Sequence, residues 1–116
     1  MITGMKNIVV FVSDFDKAKE YYTKVLKLPL AKEAAPMMEF LSGPTTLGVV
    51  AAFHDDAKKL VGRHTGITLN VQGIDAYCRE ITEAGARFIE PLESTPWGKM
   101  AVVADMDGNQ FALVEG

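Results

Sequence analysis

An internal repeat limits the folds open to this chain more than any other feature. Ile8-Val9-Val10-Phe11-Val12 is a β-branched, apolar run that leads into Ser13-Asp14-Phe15-Asp16, where Ser13 and Asp16 have the spacing of a capping box. Phe15, Ala18, Tyr22 and Val25 then recur at helical spacing with Lys17, Glu20 and Lys24 between them, and Pro29 ends the pattern. The same order returns in Thr65-Gly66-Ile67-Thr68-Leu69-Asn70-Val71, where polar and apolar residues alternate. There Gly73-Ile74-Asp75 opens a helix with Ile74, Cys78 and Ile81 on one stripe, and Gly85 is placed as its left-handed cap. Setting Val12 against Val71 aligns the two units without a gap through strand and helix start.

Short strands follow each helix: roughly Leu30 to Lys32, Met37 to Leu41 and Thr46 to Phe53 in the first unit, and Arg87 to Glu90, Lys99 to Ala104 and Gln110 to Glu115 in the second. Each unit therefore reads β-α-β-β-β, with modules at about 5–53 and 64–116. The polar stretch from His54 to His64 reads as a connection with room for one helical turn. Half a chain of 116 residues would be marginal alone by the surface it can bury, so two modules must share stability and the expected unit is one α+β domain over 1–116.

Composition excludes several roles. A net charge of −3 with no basic face argues against nucleic acid, and the lysines at Lys17, Lys19, Lys24, Lys27 and Lys32 fit a solvated helix side. The longest apolar runs are far short of a membrane span and no signal-type segment opens the sequence, so a cytoplasmic protein is expected. The single cysteine, Cys78, excludes an internal disulfide and a Cys-only zinc site, and its apolar helical setting reads as a buried, inert thiol. No HExxH, CxxC, GxSxG or phosphate-loop pattern occurs.

With the repeat established, the sequence resembles the vicinal oxygen chelate superfamily of glyoxalases, bleomycin-resistance proteins and ring-cleaving dioxygenases. The resemblance rests on Asn7 to Asp14 with Tyr21-Tyr22 and Leu26 downstream, and on Pro96-Trp97-Gly98 followed by Asp105-Met106-Asp107-Gly108-Asn109. That last run is similar to the family's Asp-Pro-Asp-Gly-Asn hairpin, with Met106 in place of proline. The resemblance implies two tandem β-α-β-β-β modules whose curved sheets enclose a cavity. It also implies metal ligands on the first and last strands of each module, at positions that here carry Asn7, Gly48, Gly66 and Ala112.

None of those four is His, Glu, Asp or Gln, and a divalent catalytic metal needs about three such donors. No metal and no cofactor are expected, which puts glyoxalase, epimerase and dioxygenase chemistry in doubt. His64 and Glu39 are the candidates for relocated ligands in an alternative metal-dependent lyase, isomerase or dioxygenase. Strand alternation turns Asn7, Val9 and Phe11 inward in one module and Gly66, Thr68 and Asn70 in the other, with Gly48, Val50, Gln110 and Ala112 beneath.

Small residues at the ligand positions are expected to leave room for an organic molecule, with Met37, Met38, Phe40, Trp97 and Met100 nearby as apolar contacts. The leading expectation is a non-catalytic protein of the bleomycin-resistance kind that sequesters a small aromatic or amphipathic molecule, as in antibiotic resistance. Asn7, Thr68 and Asn70 would orient it. A homodimer is expected from the open sheet edges and from the resemblance. A third reading is a sheet that serves only to pair subunits.

Overall fold

The computed structural model describes residues 1–115. They form two compact units, Met1–Val61 and a second that begins at Gly62, each an α+β arrangement around its own four-stranded mixed sheet.

In the first unit β1 (Asn7–Val12) runs into α1 (Phe15–Glu20), which continues through a wider π-helical turn at Tyr21–Val25. Strands β2 (Leu30–Ala34), β3 (Met37–Phe40) and β4 (Thr46–Ala51) follow, and α2 (Asp55–Lys58) is a single turn in the polar connection, as its composition suggested. The strand order is β1-β4-β3-β2, with β1 parallel to β4 and the rest antiparallel. The side chain that caps α1 is Asp14, which accepts from the Lys17 amide at 3.0 Å, rather than the expected Ser13. One residue of offset is enough, because either side chain can reach the first-turn amides.

One face of this sheet packs on the helix. Val10, Val12, Leu47, Val49, Met38 and Phe40 are buried with Ala18, Tyr22 and Leu26, and the Phe40 and Tyr22 rings lie 5.6 Å apart. Burying these side chains at about 25 cal/mol per Å² is the main stabilising term of the unit. Ile8, expected on this face and near the start of β1, is 39% exposed.

The second unit repeats the order in β5 (His64–Asn70), α3 (Ile74–Glu83), β6 (Arg87–Thr95), β7 (Gly98–Ala104) and β8 (Gln110–Glu115), with the sheet order β5-β8-β7-β6. Ile74, Cys78 and Ile81 of α3 pack on Ala101, Val103, Phe111 and Leu113, all buried. Gly85 takes φ +102 just past the helix, the left-handed cap its position suggested. The N-terminus of α3 is capped from the far end of the module: the Glu115 carboxylate accepts from the Gly73 amide at 2.7 Å and the Ile74 amide at 3.1 Å. Those two bonds hold the Glu115 carboxyl below the usual range, the Ile74 amide contributing most.

Strand β6 runs past the expected end at Glu90 because Pro91 sits on an outer strand, where a register break between Glu90 and Glu93 spares it a ladder hydrogen bond. The turn after β7 is built on a buried pair. Asp105 accepts from the Asp107 and Asn109 amides and from the Asn109 side chain, each at 2.9 Å. The Asn109 side-chain oxygen in turn accepts from the Gly62 and Arg63 amides, tying the start of the module to this turn. Gly62 is at φ +76 and a Cβ there would collide with the Asp107 carbonyl, so only glycine fits.

Candidate functional site

Each sheet turns one face to its helix and leaves the other open, and the strand registers fix what stands on the open faces. In the first sheet Val9, Gly48, Glu39 and Lys32 form one cross-strand row, and Phe11, Val50, Met37 and Ala34 form the next. Asn7 pairs with Thr46 at the end of the same face. In the second sheet Thr68, Ala112 and Val102 form one row and Asn70, Val114 and Met100 another, with His64 and Gln110 beyond them. The alternation read from sequence for β1, β4, β5 and β8 therefore brings Asn7, Phe11 and Gly48 to one face, and separately Thr68, Asn70 and Ala112 to another, where Met100 of β7 joins them through its pairing with Val114.

Strand β3 has the opposite phase from the one needed for Met38 and Phe40 to line a site. Both are fully buried against the helix, whereas Met37 and Glu39 occupy the open face. Met38 and Phe40 are core residues and, contrary to the expectation from sequence, do not face the open side of the sheet. Trp97 stands in the turn between β6 and β7 and is 84% exposed, so it is not a core residue. Its backbone amide donates to the Thr95 hydroxyl at 3.1 Å, and that hydroxyl donates to the Gly98 carbonyl at 2.6 Å, which fixes the turn while leaving the indole in solvent.

The four positions that the resemblance marks for metal ligands carry no His or carboxylate side chain. Gly48, Gly66 and Ala112 have no side-chain donor and Asn7 is a neutral amide. Among the described residues no group of three or more His, Cys, Asp and Glu is disposed to hold a metal ion. At Gly48 the space is not free: a Cβ would lie 2.8 Å from Met37 Cε and 3.1 Å from Val9 Cγ2, so these two side chains cover the strand where a ligand side chain would project. Room is left at Gly66, which has nothing within 4 Å of its Cβ position, but φ +73 there disfavours any other residue. His64 Nδ1 accepts from the Gly66 amide at 3.2 Å, so this nitrogen is engaged in a local bulge of β5.

The polar centre of the first open face is Glu39. Its Oε1 accepts from the Thr46 hydroxyl at 2.7 Å. That bond holds the carboxyl below the usual range against the opposing effect of partial burial, and Lys32, Asn7 and Lys6 pull the same way. Around it Lys6, Asn7, Lys32, Ala34, Met37 and Glu39 line a cavity of about 170 Å³. The sequence does not single out Lys6, and Lys32, expected on a solvated helix side, instead stands on β2 beside Glu39. The signal for Lys32 was present, since counting back from the β2–β3 turn pairs Lys32 with Glu39.

A second concavity, of about 510 Å³, lies between α3 and β6, with Cys78, Phe88, Pro91 and Leu92 inside it and Asp75, Arg79, Thr82 and Glu83 beside them. Burial pushes the Cys78 thiol up, and Asp75 adds to that, so it is no ready nucleophile.

The sequence matches the Glyoxalase/Bleomycin resistance protein/Dioxygenase superfamily over residues 4–113. Comparison with curated protein sequences gives no match. Among solved structures, a member of that superfamily from Sphaerobacter thermophilus DSM 20745 is 29% identical with a TM-score of 0.78, over 99% of this chain and 98% of that one. The antibiotic binding protein TnmS3 from Streptomyces sp. CB03234 is 27% identical with a TM-score of 0.80, over 97% and 95%. The fosfomycin resistance protein FosX from Listeria monocytogenes, at 19% identity and a TM-score of 0.74 over 100% and 95%, shares the fold. With two β-α-β-β-β modules in the expected order and a match spanning nearly the whole chain, the protein belongs to the Glyoxalase/Bleomycin resistance protein/Dioxygenase superfamily.

Proposed function

We propose that the protein binds and sequesters a small aromatic or amphipathic molecule on the open sheet faces, without a metal and without chemical turnover. The observation that carries this reading is Gly48, where a metal ligand would project and where Met37 and Val9 instead lay an apolar surface. A thioether and an aliphatic side chain suit the face of a ring far better than a hydrated cation. On the first sheet Asn7 would supply a hydrogen bond and Phe11 apolar contact, and on the second, taken by itself, Thr68 and Asn70 would supply hydrogen bonds and Met100 and the exposed Trp97 apolar contact. That TnmS3 is an antibiotic binding protein supports the same class of role, with antibiotic resistance as the expected outcome.

The reading includes a homodimer in the cytoplasm. Val9 is 37% exposed on the open face, and the outer strand β2 is exposed along its whole length, a surface that a second copy would cover. No helix among the described residues is long and apolar enough to cross a membrane.

A thermal-shift screen of the full chain against planar aromatic and amphipathic antibiotics tests the proposal, because a molecule that binds only the native state raises Tm by mass action. Stabilisation by at least one such class, undiminished by chelator, is expected. Stabilisation only by divalent metal, or turnover of a substrate with metal present, would replace this reading with that of a metal-dependent enzyme.

A further inference from the structure

The cavity around Glu39 holds one carboxylate and two ammonium groups, which makes it selective. Among the described residues the ion pairs are Lys19–Glu33, Lys59–Asp56 and Lys99–Asp75, so neither Lys6 nor Lys32 is held in a close ion pair there. Both lie at the cavity and both act on Glu39 through space. Glu39 is fixed by the Thr46 hydroxyl on Oε1, and a carboxylate has about four acceptor positions, so capacity remains for a donor brought by a ligand. Met37 and Ala34 form the apolar part of the lining. At about 170 Å³ the cavity is smaller than the roughly 300 to 1,000 Å³ of a whole drug-sized site. It suits one ring or the polar head of a longer molecule whose remainder lies along Val9, Phe11 and Val50.

We propose that this cavity takes an acidic hydroxyaromatic group, its hydroxyl donating to the Glu39 carboxylate and its anionic oxygen lying between Lys6 and Lys32. The assignment rests on the binding role proposed above and narrows it to a ligand class. A cationic head would gain one carboxylate and meet two ammonium groups. A hydroxylated anion satisfies all three charges, and charge-assisted hydrogen bonds of this kind are the stronger ones. The ring between the two polar ends would rest on the Met37 thioether.

Three probes of similar size, two anions that differ by a hydroxyl and one cation, test this on the full chain by amide chemical-shift titration: hydroxynaphthoate, naphthoate and naphthylmethylammonium. Hydroxynaphthoate should shift amides of β1, β3 and β4 and bind about tenfold more tightly than naphthylmethylammonium, with naphthoate between them. Lys32→Met should weaken hydroxynaphthoate about tenfold and Lys32→Arg should restore it, while Glu39→Gln should remove its advantage over naphthoate. Preferential binding of the ammonium probe, or an unchanged hydroxynaphthoate affinity in Lys32→Met with well-dispersed spectra, would overturn the charge assignment and leave the binding role standing. If no probe moves an amide on either open face, both fail.

Discussion

Met37 Cε lies 2.8 Å from where a Cβ of Gly48 would stand, so the two residues are fitted to each other across neighbouring strands. The absence of a side chain at 48 is what lets the thioether fold over β4. Gly48→Ala sets two effects against each other: about 0.4 to 1 kcal/mol gained from a stiffer unfolded chain, and a clash that the flexible methionine tip can partly relieve. The single mutant should be close to neutral. In a Met37→Ala background the same change should stabilise, and a double-mutant cycle by urea unfolding should return a coupling of about 0.5 kcal/mol or more.

Phe40 and Trp97 should separate cleanly by the same method. Phe40 is fully buried against Tyr22, so Phe40→Ala should cost about 3 to 5 kcal/mol. Trp97→Ala removes a side chain that is 84% exposed and should change stability by less than about 0.5 kcal/mol. If the indole stacks on a ligand, the mutant should lose about 1 to 3 kcal/mol of binding and the wild-type fluorescence should respond to that ligand. Unchanged affinity for a molecule that shifts Tm would remove Trp97 from the site.

Much of the architecture was legible because repeated strand-helix patterns carry their own phase. In β5 the alternation from Thr65 to Val71 states which residues turn inward, and Thr68 and Asn70 do stand on one face. Met37-Met38-Glu39-Phe40 carries no such signal, since apolar residues stand at both parities, and its phase is settled only by Tyr22 packing on Phe40. Long-range polar contacts were illegible for a different reason. Nothing local in the sequence joins Glu115 to the amides of Gly73 and Ile74, or Asn109 to those of Gly62 and Arg63.

The Glu115 cap makes stability depend on pH in a defined direction. Its folded carboxyl is depressed by the Ile74 and Gly73 amides, so its contribution is fully present above the ordinary carboxyl value of about 4.3 and is lost as pH falls through the lower folded value. Glu115→Gln should therefore be less stable than wild type at neutral pH. The gap should narrow as urea unfolding is repeated toward about pH 3, below that ordinary value. A gap that stays constant across that range would mean that the carboxylate charge is not what caps α3.

Metal content measured against ligand affinity is the most direct measurement. The full chain, purified without chelator, is analysed for transition metals, then titrated with the aromatic compound that most raises its Tm, before and after EDTA. Far less than one metal ion per chain and an affinity unchanged by EDTA are the expected results, because Asn7, Gly48, Gly66 and Ala112 cannot supply about three ionisable donors. Near-stoichiometric zinc, iron, nickel or manganese, lost on substituting Asn7, Glu39 or His64 and needed for the compound to bind, would contradict a metal-free binding face.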